Sequence, residues 1–100
     1  MSPLDLLQTR QGEIAELCRK YGVTRLRLFG SVARGEVRES IDFDFLVEME
    51  ARRSLLDLGG LQFDLQELLG RRVDVVDWTA AKKPGFRASA EMYTREIFAA

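Results

Sequence analysis

With 100 residues the chain has room for one domain and not two, and at 46% hydrophobic and 31% charged it has the balance of an ordinary globule with a small core and little stability to spare. Lys and Arg number 15 against 16 Asp and Glu, and the net charge of −1 argues against holding nucleic acid by bulk charge. The chain has no histidine and one cysteine, Cys18, which excludes a Ser-His-Asp or Cys-His mechanism, a His-ligated zinc and an internal disulfide; acids, bases and metal ligands must then be carboxylates. No apolar run reaches the roughly 18 residues of a membrane span and no signal-peptide pattern opens the chain, so the expected location is the cytoplasm.

Ser2-Pro3 reads as a helix start, a cap followed by proline at the first helical position. Leu7, Ile14, Leu17, Cys18 and Tyr21 share one side at helical spacing and Gly22 is a stop, so the spacing predicts one helix over 3–21, weakened at Gly12. VTRLRLF alternates, with Leu26 and Leu28 on one face and Arg25 and Arg27 on the other, a half-exposed strand over 24–29. Gly30-Ser31 ends it; VARGE is long enough for one helical turn, and VRES is a loop. IDFDFLVEM is a strand over 41–49. Phe43, Phe45 and Val47 lie on one face, and Asp42, Asp44, Leu46 and Glu48 on the other.

Ser54, with Asp57 as its capping partner, opens a second helix. Its apolar stripe is Leu55, Leu58, Leu61, Leu65, Leu68 and Leu69, and Gly70 closes it. Gly59-Gly60 in its interior costs about 1 kcal/mol each relative to alanine, which close packing or a break in the helix would explain. RRVDVVDW gives a strand over 72–77, with Val73 and Val75 on one face and Asp74 and Val76 on the other. A Lys82-Lys83-Pro84-Gly85 loop leads to an amphipathic helix over 86–98, held by Phe86, Met92, Ile97 and Phe98. These elements describe a single domain over 1–100 and a small α/β (α+β) layer.

The carboxylates carry the chemistry. Asp42 and Asp44 leave the same strand face roughly 6.5–7 Å apart. Two anions so close repel unless a cation lies between them, and oxygen-only ligands favour a hard one such as Mg2+ or Mn2+. Alone, a D-x-D on a strand is more often a solvated face than a ligand pair. Asp74, which interrupts valines in the later strand, would bring a third carboxylate if the two strands are neighbours. Three such groups are the raw material of a site for in-line phosphoryl displacement. Gly30 lets backbone approach a ligand, Ser31 adds a hydroxyl, free N–H groups at a following helical turn would attract an anion, and Arg34 offers a bidentate phosphate contact. Glu48 and Asp77 read as strand-end surface groups, Arg71-Arg72 and Lys82-Lys83 as solvated basic pairs, and Trp78 as a packing residue.

The run Phe29-Gly30-Ser31-Val32-Ala33-Arg34-Gly35-Glu36, followed by Asp42-Phe43-Asp44-Phe45-Leu46-Val47 and later by Gly70 to Val76 (GRRVDVV), resembles the minimal nucleotidyltransferases of the DNA polymerase beta superfamily, over essentially the whole chain. The resemblance implies a mixed sheet of three to four strands flanked by helices. It implies Gly30, Ser31 and Arg34 on a nucleoside triphosphate, ATP in the best understood members, with Asp42, Asp44 and Asp74 on Mg2+ or Mn2+ and Asp74 as the base for the attacking hydroxyl. It also implies a protein partner: many such proteins are antitoxins that transfer AMP to a tyrosine of a HEPN-domain toxin, assembled as a homodimer or as a hetero-oligomer with that toxin. One departure stands out. The family's serine directly before the first aspartate is Ile41 here, with Ser40 one place earlier. It motivates a second reading, neutralisation of the toxin by binding alone. A third is transfer to a small molecule or RNA, against which the short chain and modest charge count.

Overall fold

A computed structural model of the chain describes residues 2–30, 33, 42–78 and 94–100. Its elements run α1 (Pro3–Thr9), α2 (Gln11–Lys20), β1 (Val23–Phe29), β2 (Phe43–Met49), α3 (Leu55–Leu69), β3 (Val73–Asp77) and β4 (Arg95–Ala99). The four strands form one mixed sheet in the order β3-β2-β1-β4, the small α+β layer expected. β1 pairs antiparallel with β2 and with β4, whereas β2 and β3 are parallel and joined through α3.

The alternation in β1, β2 and β3 decides which face of the sheet the helices cover. Leu26, Leu28, Phe43, Phe45, Val47 and Val73 are buried on one face against Leu7, Ile14 and Cys18 of the first two helices and Leu61, Leu65 and Leu69 of α3. Phe43 and Phe45 stack on that face with ring centroids 6.1 Å apart. The opposite face carries Asp42, Asp44, Arg27 and Glu48. Leu46 lies there too, yet is only 1% exposed. Arg25, Arg27, Glu48 and Trp78 surround it, and the Arg27 guanidinium sits 5.6 Å from the Trp78 ring centroid. The aliphatic stem of an arginine and an indole thus shield an apolar side chain where no helix does.

Two expectations need correction. The helix expected over 3–21 is interrupted at Arg10, which ends α1 and starts α2 with φ −98° and ψ 13°. Between the buried Leu7 and Ile14 every residue from Gln8 to Glu13 is exposed, so no core contact holds that turn helical, and Gly12 adds to the cost. The helix expected over 86–98 is replaced over Arg95–Ala99 by β4, and residues 86–93 lie outside the described residues. β1 would otherwise leave a row of backbone groups unpaired at its edge. β4 pairs them, and Arg25 closes an ion pair with Glu96 at 2.6 Å across the same strands.

α3 is built as the sequence indicates. Leu56 N–H donates to the Ser54 hydroxyl at 3.2 Å, Ser54 N–H donates to the Asp57 carboxylate at 3.0 Å, and Gly70 caps the far end with φ 64°. The helix runs unbroken through Gly59-Gly60. A Cβ on Gly60 would come within 2.6 Å of the Tyr21 ring, so this glycine is where α2 and α3 approach. The Tyr21 hydroxyl donates to Asp64 on α3 at 2.5 Å, and Lys20 reaches the same carboxylate at 3.4 Å. Among the described residues no helix is long and apolar enough to cross a membrane.

Candidate active site

The parallel pairing of β2 with β3 sets Asp44 directly beside Asp74, with Phe43 beside Val73 and Phe45 beside Val75 on the core side. Neighbouring strands lie about 4.8 Å apart, so two carboxylates leave one face side by side. Asp42 stands two residues earlier on the same face, where β2 begins. The ladder is closed at this end by Phe43 N–H donating to the Arg72 carbonyl at 3.0 Å. The strand alternation and the crossover through α3 together assemble the group: alternation sets the face, and the parallel register sets the neighbour.

Electrostatics mark Asp44 as the centre of this group. Its proton affinity is raised above the ordinary aspartate range, first by partial burial, then by the charge of Asp74, then by that of Asp42. Arg72 reaches the group, its Nε 4.0 Å from the Asp42 carboxylate, with both side chains well exposed; at that distance and exposure it screens little. In sequence Arg72 is one half of a basic pair that local pattern assigns to solvent. Its place follows only from the parallel register, which puts the start of β3 alongside the start of β2.

Gly30 completes the described part of the site. It follows β1, whose Phe29 pairs with Asp44, and it has φ 81°. A Cβ at this position would lie 2.9 Å from an Asp44 carboxylate oxygen. Both the left-handed backbone and the missing side chain are therefore required for the chain to turn over Asp44. Ser31, Arg34, Ser40 and Ile41 lie outside the described residues.

The donor set suits a hard divalent cation: three carboxylates, oxygen only, the middle one with its proton affinity raised first by burial and then by its two neighbours. Among the described residues no three ligating side chains are already drawn together as a finished metal cluster. Thiol chemistry is disfavoured, because Cys18 is buried in the core and desolvation pushes its pKa up to about 12.

Comparison with known proteins identifies relatives in sequence and in fold. Residues 13–97 match the family model described as nucleotidyltransferase domain. A candidate protein adenylyltransferase of Methanocaldococcus jannaschii is 44% identical over 68 residues, covering 68% of this chain and 73% of the relative. A solved structure described as a candidate minimal nucleotidyltransferase superposes with a TM-score of 0.83 at 41% identity, over 95% of each chain. A structure of a tri-AMPylated HEPN toxin of Shewanella oneidensis in complex with an MNT antitoxin matches with a TM-score of 0.70 at 20% identity, over 94% of this chain and 73% of that one, a likeness of fold.

Proposed function

Because the chain belongs to the nucleotidyltransferase domain family, we propose that it transfers AMP from ATP to a tyrosine hydroxyl of a HEPN-domain partner in the cytoplasm and thereby acts as that partner's antitoxin. The observation that carries this reading is Asp44, set beside Asp74 in the strand register, with Gly30 bare above its carboxylate. A triphosphate needs backbone close to a cation site, and Gly30 is the residue that permits it. The likeness to a complex containing a tri-AMPylated HEPN toxin supports the choice of partner.

In this reading residues 1–100 act as one minimal nucleotidyltransferase domain. Gly30 and Ser31 lie along the triphosphate and Arg34 grips a phosphate oxygen pair. Asp42, Asp44 and Asp74 hold Mg2+ or Mn2+, which when bound neutralises charge on the triphosphate. Asp74 orients the attacking hydroxyl and accepts its proton. The tyrosine oxygen forms a bond to the α-phosphorus, the bond from that phosphorus to the bridging oxygen breaks, and pyrophosphate leaves with the electron pair.

Intact-mass measurement of the partner after incubation with the chain, ATP and Mg2+ tests the proposal. The expected result is a gain of one or more AMP units. The gain should be absent with EDTA, with Asp44→Asn, or when the acceptor tyrosine is replaced by phenylalanine. An unmodified partner that nonetheless binds and is neutralised equally by wild type and Asp44→Asn would overturn it.

A further inference from the structure

We infer that Arg95 is a positioning residue of the candidate site, which fixes the backbone leaving Gly30 by holding the Ala33 carbonyl. The inference rests on the reading of that backbone as the triphosphate side of the site. Arg95 opens β4, and its Nε donates to the Ala33 carbonyl at 3.2 Å across 62 positions of sequence. Ala33 is only 8% exposed and packs into the core. A carbonyl on a residue so placed needs a donor, and a guanidinium supplies one that stays charged at every working pH. Arg95 itself is exposed, so core packing does not dictate where its side chain goes.

The register shows why this bond bears on the site. Leu28 of β1 pairs with Arg95 on one side, and Phe29 pairs with Asp44 on the other. The end of β1 is thus flanked by the first residue of β4 and by the centre of the carboxylate group. Gly30 follows at once, with φ 81° and no side chain over the Asp44 carboxylate. Ala33 is three residues further on, a stretch of chain that spans about 11 Å at most even when fully extended. A short segment is therefore fixed at both ends, at Gly30 by the close approach to Asp44 and at Ala33 by Arg95. A ligand held by backbone groups binds more tightly when those groups are already in place, because ordering them no longer opposes binding. Arg95 acts on the nucleotide only through Ala33.

Isothermal titration of the full chain with ATP and Mg2+, without acceptor, tests this, and steady-state transfer supplies kcat and KM. Arg95→Met keeps a stem of similar length but no donor. It should weaken ATP binding about tenfold, the loss of one charge-assisted hydrogen bond, and raise KM for ATP by the same factor. Its kcat and its KM for the acceptor should stay within about twofold. Arg95→Lys, which retains a cationic donor, should recover ATP binding to within about threefold of wild type. Arg25→Met removes the ion pair with Glu96 that joins the same two strands. It leaves the Ala33 carbonyl alone and should keep ATP affinity within about twofold. An Arg95→Met that binds ATP as wild type does overturns the inference. So does an equal loss in Arg25→Met, which would reduce the effect to the docking of β4. An Arg95→Met whose circular dichroism is that of an unfolded chain assigns the residue to stability and also overturns it. A wild type that binds no ATP overturns the reading of the site itself, and the inference with it.

Discussion

The two faces of the sheet are made by alternate residues of the same strands, and they obey opposite rules. On the helix side Phe43, Phe45, Val47 and Val73 are fully buried, and they supply the stability of the domain. On the open side, one residue away in sequence, Asp42, Asp44 and Asp74 crowd like charges and work against folding. A strand with one covered face can therefore carry a costly site without disturbing the core.

The comparison breaks most sharply at Asp44. Asp44→Asn should lower AMP transfer by about a thousandfold, as losing a principal electrostatic group does, while the metal-free variant melts no lower than wild type. The pH dependence has a definite sign. Folding raises the proton affinity of Asp44, so the native state holds more protons than the unfolded one between the ordinary aspartate range and the raised value. The contribution of this group to stability is present at low pH and is lost as pH rises through the raised value. Thermal melts in chelator from about pH 4 to pH 7 should show wild type losing ground to Asp44→Asn. A variant that loses stability in parallel with activity would mean the open face is structural.

Phe45→Ala makes the opposite test. It should cost about 3–5 kcal/mol in denaturant unfolding, a large share of the stability of a domain this size. Its effect on transfer by the fraction that remains folded should be far smaller than that of Asp44→Asn. Gly60→Ala drives a methyl group towards the Tyr21 ring and should cost about 1–3 kcal/mol. The smallest effect belongs to Tyr21→Phe, which removes the hydroxyl donating to Asp64 and should cost about 1 kcal/mol at neutral pH. That hydrogen bond is the first cause of the lowered proton affinity of Asp64, with Lys20 adding to it. The contribution is thus present above the ordinary aspartate range and fades as pH falls through the lowered value, so the difference between Tyr21→Phe and wild type should shrink in acid.

Much of this was legible in one dimension. Alternation placed Asp42 and Asp44 opposite Phe43 and Phe45, and Asp74 opposite Val73 and Val75, because successive strand side chains must point to opposite faces. The caps at Ser2, Ser54 and Gly70 were equally local, since a helix end is satisfied by residues a few positions away. Arg72 was not legible as a neighbour of Asp42, nor was the shielding of Leu46 by Arg27 and Trp78, because each contact depends on which strands become adjacent.

What the sequence alone determined, then, was the periodicity of each element, the face each side chain takes and the family to which the pattern belongs; these depend on backbone geometry within a few residues. Only the tertiary structure decided that Asp74 stands beside Asp44, that Gly30 turns over its carboxylate, and that Arg95–Ala99 is a strand. The last of these shows the reason. A short segment with weak local preference takes the conformation that satisfies the backbone groups of an open sheet edge, and that edge is formed by residues some seventy positions away, as the pairing of Arg25 with Ala99 records.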